Sequence, residues 1–92
     1  MNIKNIYELS PIDGRKSFYG KAHVLILNNG AEALMSYETI VAVKTPDGVI
    51  HRTWNYWSAT TGRHLSAFGV CGKAAWDKMP VENADTFTEA IA

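Results

Sequence analysis

At 92 residues the chain has the size of one compact domain, with no room for a second core or a separate cofactor domain. Nine Lys and Arg balance nine Asp and Glu, which removes the long-range positive field of a protein that binds nucleic acid mainly through phosphates. The single cysteine, Cys71, excludes an internal disulfide and a four-cysteine metal site and suits a reducing compartment.

The start, Met1 to Leu9, mixes charged and amide residues among its apolar ones and shows no secretory hydrophobic region. The longest aliphatic runs, Val24–Leu27 and Ile40–Val43, are far too short to cross a bilayer. The expectation is a cytoplasmic protein with no membrane partner. Residues 1–17 read as an ordered lead-in, pinned by Ile3, Ile6, Tyr7 and Leu9 and broken by turn signals at Pro11 and Asp13-Gly14. Phe18 to Leu27 reads as a strand with Ala22, Val24 and Ile26 facing the core and Lys21 and His23 facing away.

Asn28-Asn29-Gly30 tolerates the positive φ angles of a tight turn and predicts a hairpin. The return strand runs from Ala31 to Lys44, with Ala33, Met35, Tyr37, Val41 and Val43 on one parity and Glu32, Ser36, Glu38 and Lys44 on the other. Its length requires a bend or bulge near Glu38-Thr39. Thr45-Pro46-Asp47-Gly48 predicts a second turn, and Val49 to Trp54 a third strand.

Hydroxyls at Ser58, Thr60 and Thr61 followed by Leu65 and Phe68 at helical spacing predict a helix from Ala59 to Val70, weakened at Gly69 and stopped at Gly72. Lys73 to Met79 fits one more helical turn before Pro80. Residues 81–92 form a flexible acidic tail, or add a short helix carrying Phe87 and Ile91. The predicted fold is α+β: a single domain in which a three-stranded antiparallel β-meander packs against one main α-helix, with a short C-terminal helical segment.

The densest chemistry lies between Arg52 and His64. Arg52, Thr60, Thr61, Arg63 and the N-terminus of the helix fit an anion site, against the plainer reading of ordinary capping by Ser58 or Thr60. Trp54, Tyr56 and Trp57 offer flat faces to a partner. In so small a domain at least two of the three are expected in the core, which leaves one as the contact.

His64 reads as a structural histidine, because the neighbours visible in sequence are threonines and Arg63. His23 and His51 show no metal-ligand spacing with it, so no metal and no cofactor is assigned. Cys71 is expected to pack as a small apolar group.

Ser10-Pro11-Ile12-Asp13-Gly14-Arg15-Lys16-Ser17-Phe18-Tyr19-Gly20-Lys21-Ala22, Tyr37-Glu38-Thr39 and Trp57-Ser58-Ala59-Thr60-Thr61-Gly62-Arg63-His64 resemble a family of small hypothetical proteins. Such proteins are encoded by bacteriophages, plasmids and other mobile elements, chiefly of Gram-positive bacteria. The resemblance implies a setting in which small neutral proteins serve as accessory factors or as inhibitors of host proteins, host defence machinery included.

The expected function is therefore a non-enzymatic interaction protein. It docks a protein partner through Trp54–His64, joined by Arg15, Lys16 and Tyr19, and pairing of an exposed sheet edge with a second copy is compatible with it. One alternative is a nucleic-acid binding accessory protein using Lys21, Lys44 and Arg52. The other is a small hydrolase or transferase built on His64 and a threonine.

Overall fold

Turn chemistry in the first half of the chain joins short antiparallel strands in sequence order. The computed structural model describes residues 3–9, 21–83 and 86. Its elements are β1 (Ile3–Glu8), β2 (Ala22–Leu27), β3 (Glu32–Ser36), β4 (Thr39–Lys44), β5 (Ile50–Arg52), α1 (Ala59–Phe68) and α2 (Lys73–Lys78). The sheet order is β1-β2-β3-β4-β5 with every neighbour antiparallel, so the meander has five strands rather than the three expected.

Both extra strands come from segments read otherwise in the sequence. Within the lead-in, Ile3–Glu8 pairs with β2 through Tyr7↔Val24 and Ile6↔Leu25. The long return strand is two strands, because Tyr37 and Glu38 make a tight turn where only a bend was expected, and Ser36 pairs with Thr39 across it. Tyr37 takes φ 57°, left-handed backbone that a bulky residue rarely adopts. Its N–H donates to Lys21 O at 2.6 Å, which anchors the turn to the start of β2. The third expected strand shrinks to Ile50–Arg52. The expected start of β2 at Phe18, the turns at Pro11 and Asp13-Gly14, and the helix around Phe87 and Ile91 lie outside the described residues.

The strand parities also resolve differently from the reading above. Pairing steps from Leu34↔Ala42 to Met35↔Ile40, leaving Val41 as the extra residue of a bulge. Val41 and Ala42 consequently both join the cluster beneath the helices, with Val24, Leu34, Leu65, Phe68, Val70 and Trp76. A second cluster of Leu25, Leu27, Ala31, Ala33 and Val43, flanked by Met35 and Ile40, occupies the opposite face. The unbroken run Val24–Leu27 is what a strand covered on both faces needs. Even-numbered positions alone therefore do not define the core.

Ser58 caps α1, its Oγ accepting from Thr61 N–H at 3.0 Å. The helix ends at Phe68, two residues earlier than expected, and the C-cap Gly69 has a φ of 129°. The expected extra turn is α2, which seats Trp76 fully buried against the sheet. Beyond α2, Val81 forms a parallel bridge to Arg52, and Glu82 N–H donates to Arg52 O at 2.8 Å. Among the described residues no helix is long and apolar enough to cross a membrane.

Candidate interaction surface

Arg52 is the side chain from which the candidate surface is built. It stands on β5 opposite Ala42, which points it toward the helices. Its guanidinium lies over the Trp76 ring, 4.5 Å from the centroid. From there Nη1 donates to Trp76 O at 3.0 Å, which also accepts from Met79 N–H, and to Met79 O at 3.5 Å, where α2 ends. Nε donates to Trp54 O at 2.8 Å and Nη2 to Asn55 O at 2.9 Å. One planar cation thus holds the end of α2 and the loop that follows β5.

That loop carries the aromatic residues. Trp54 and Tyr56 meet edge to face with ring centroids 5.7 Å apart, 37% and 70% exposed respectively. Trp57 turns the other way, 6.0 Å from Trp76, and joins the core. Its indole lies against Gly62, where an added Cβ would fall 2.5 Å from Cζ2. The expectation that at least two of the three aromatics are core is therefore reversed. Arg52 draws the Trp54 and Asn55 carbonyls inward, so the alternation that would bury a strand residue ends at Thr53, whose own hydroxyl donates to Ile40 O at 3.1 Å.

The remaining residues of the patch face inward or sideways. His64 is 1% exposed, and its Nδ1 lies 2.8 Å from Ser36 Oγ, which is in turn 3.3 Å from Thr61 Oγ1. Burial, and then the charge of Arg63, lower the His64 pKa and favour the neutral imidazole. The Tyr37 ring sits 6.1 Å from that imidazole. Thr60 and Arg63 are half-buried on α1. The structure thus separates Trp54 and Tyr56 at the surface from Trp57, Thr61 and His64, which it ties to the sheet and core. Arg15, Lys16 and Tyr19 lie outside the described residues.

The cations considered for nucleic acid each meet a group of the protein itself. Lys21 lies 5.7 Å from the Tyr37 ring and Lys44 4.8 Å from the Phe68 ring, while Arg52 is engaged as described. Lys21 also lines a shallow hollow with Tyr37, Glu38 and Thr39. His51 Nδ1 bonds Glu82 Oε2 at 2.8 Å, so the first acidic residue past Pro80 lies on the body of the domain. Among the described residues no three His, Cys, Asp or Glu side chains converge as metal ligands. Cys71 is exposed rather than packed, in the connector between α1 and α2 where Gly69 and Gly72 take positive φ.

Sequence reasoning missed two participants. Ser36 stands on the parity of Leu34, but its role depends on a helix 28 residues away. The part Arg52 plays depends on Trp76, which no local pattern links to it.

No curated protein and no solved structure matches the chain. Residues 1–83 match the model of a family of unknown function, DUF8033, and the chain belongs to that family.

Proposed function

We propose that this chain is a non-enzymatic interaction domain that anchors a protein partner with Trp54 and Tyr56. The observation that carries this reading is an exposed aromatic pair on a loop already fixed by Arg52. Large aromatic rings dominate protein interfaces, and a loop ordered before binding loses little entropy on docking. The burial of His64 and its bond to Ser36 weigh against the alternative built on that histidine, because they leave the imidazole away from solvent-borne substrate. The resemblance to phage and mobile-element proteins adds the setting: a cytoplasmic accessory factor, or an inhibitor of a host protein such as a component of host defence.

The test is capture of a host protein by the wild-type chain, followed by titration of that protein with Trp54→Ala and Tyr56→Ala. Each variant is expected to bind at least about thirtyfold more weakly, near 2 kcal/mol, with its circular dichroism unchanged. Undiminished binding by both variants would sink the proposal. So would salt-sensitive retention of the wild type on DNA or RNA with no protein captured.

A further inference from the structure

The stretch that follows α2 runs along Arg52 from its guanidinium to its backbone. Met79 leaves the helix extended, at φ −86° and ψ 132°, as Pro80 requires of the residue before it. Its carbonyl accepts from Arg52 Nη1 at 3.5 Å. Two residues on, Val81 bridges to Arg52, and Glu82 N–H donates to Arg52 O at 2.8 Å. The Glu82 carboxylate then meets Nδ1 of the preceding β5 residue, His51, at 2.8 Å.

The loop that carries Trp54 and Tyr56 is held from the same residue, because Arg52 Nε and Nη2 donate to the Trp54 and Asn55 carbonyls. β5 is only three residues long and meets β4 at three positions. A strand so short is steadied on its other side by Val81 and Glu82, and the backbone they fix is the one that aims the guanidinium at the loop. Val81 is 46% exposed, so hydrogen bonds rather than burial hold the stretch down. Segments of that kind open at a lower free energy than the core.

We propose that residues 79–82 are a latch on the aromatic loop. Docked, they fix Arg52 and so order residues 54–56; lifted, they loosen β5 and the loop together. The consequence for binding rests on the reading of Trp54 and Tyr56 as the docking pair. A loop ordered in advance loses less entropy on docking, so the latched chain is the binding-competent form. By reciprocity, a partner that grips the two rings holds the latch shut.

Backbone amide order parameters from NMR relaxation of the full chain, with no partner present, test this. In wild type, residues 54–56 and 81–82 are expected near the rigid-backbone value of about 0.85. Glu82→Pro removes the N–H that Arg52 O accepts, and is expected to bring both segments below about 0.6 while residues 22–44 keep their values. Glu82→Ala keeps that N–H and removes only the bond to His51, and is expected to move the same two segments the same way by less. The proposal is overturned if residues 54–56 are flexible in wild type, if they stay rigid while 81–82 loosen, or if 81–82 stay rigid in Glu82→Pro. Loss of order across residues 22–44 in both variants overturns it as well, since the stretch would then support the whole sheet. Where only Glu82→Pro has that effect, Glu82→Ala decides by the same two segments. A chain that captures no protein leaves this result standing, and a loop independent of the latch leaves the titrations with Trp54→Ala and Tyr56→Ala untouched.

Discussion

Arg52 and His64 each tie a helix to the sheet, yet one keeps its charge under cover and the other gives it up. Arg52 reaches the end of α2 and is surrounded by four backbone carbonyls and an indole face. His64 reaches back from α1 to a serine hydroxyl, with the charge of Arg63 nearby. A guanidinium cannot release its proton at any accessible pH, so the fold must supply acceptors for it. An imidazole can release its proton, so His64 can be buried neutral, with the Ser36 hydroxyl at Nδ1. The contact built on His64 is therefore sensitive to pH.

Breaking the Arg52 side should have the largest effect. Arg52→Ala removes several charge-assisted bonds and the packing on Trp76, and is expected to cost about 3–4 kcal/mol. Arg52→Lys should recover less than half of this, since an ammonium has neither the planar fork nor the stacking face. Urea unfolding measures both, and a loss below about 1 kcal/mol for Arg52→Ala would show the corner to be idle.

Next comes Gly62→Ala, which tests the Trp57–Trp76 packing beside that corner. Alanine favours a helix by about 1 kcal/mol over glycine, but its methyl would overlap the Trp57 ring. A net destabilisation of about 1–3 kcal/mol is expected from the overpacking. A gain in stability would mean that Trp57 moves aside freely.

The His64 side is sharpened by pH. Its folded pKa lies below the ordinary histidine value of 6.5 because of burial and then Arg63. As pH falls below 6.5 the unfolded chain takes up the proton first, so stability is lost from there down through the folded pKa and levels off beneath it. The slope cannot exceed about 1.4 kcal/mol per pH unit for one proton. His64→Gln should flatten that part of the curve, and an unchanged slope would place the titration elsewhere. Smallest of all is Tyr56→Ala, expected to shift stability by no more than about 0.5 kcal/mol because the ring is largely in solvent. A larger loss would mark Tyr56 as part of the fold rather than of a binding surface.

Where a turn carries its own chemistry, the chain could be read directly. Asn28-Asn29-Gly30 makes the predicted hairpin, with Gly30 at φ 90° and Asn29 Oδ1 accepting from Ala31 N–H at 3.0 Å. Thr45 to Gly48 makes the second, with Gly48 at φ 88°. The turn at Tyr37-Glu38 escaped because it has no Gly, Asn or Pro, its unfavourable backbone being held by a bond to β2 that is distant in sequence. β1 escaped because Ile3–Glu8 lacks strict alternation and is defined by its partner strand. In the candidate surface, Ser58 capping was legible from local spacing. The division of Trp54, Tyr56 and Trp57 between surface and core was not, because it is decided by Arg52 and Trp76 acting across the fold.

A sheet in which every strand lies beside its neighbour in sequence has a kinetic consequence. The three hairpins from β2 to β5 close short loops, so their pairings can zip without waiting for distant segments to meet, and folding is expected to be fast for a β-rich domain. The contacts of Arg52 with Trp76 and Met79 span the sequence from β5 to the end of α2. They form last if the strands zip first, and the exposed aromatic loop takes its shape only in that final step.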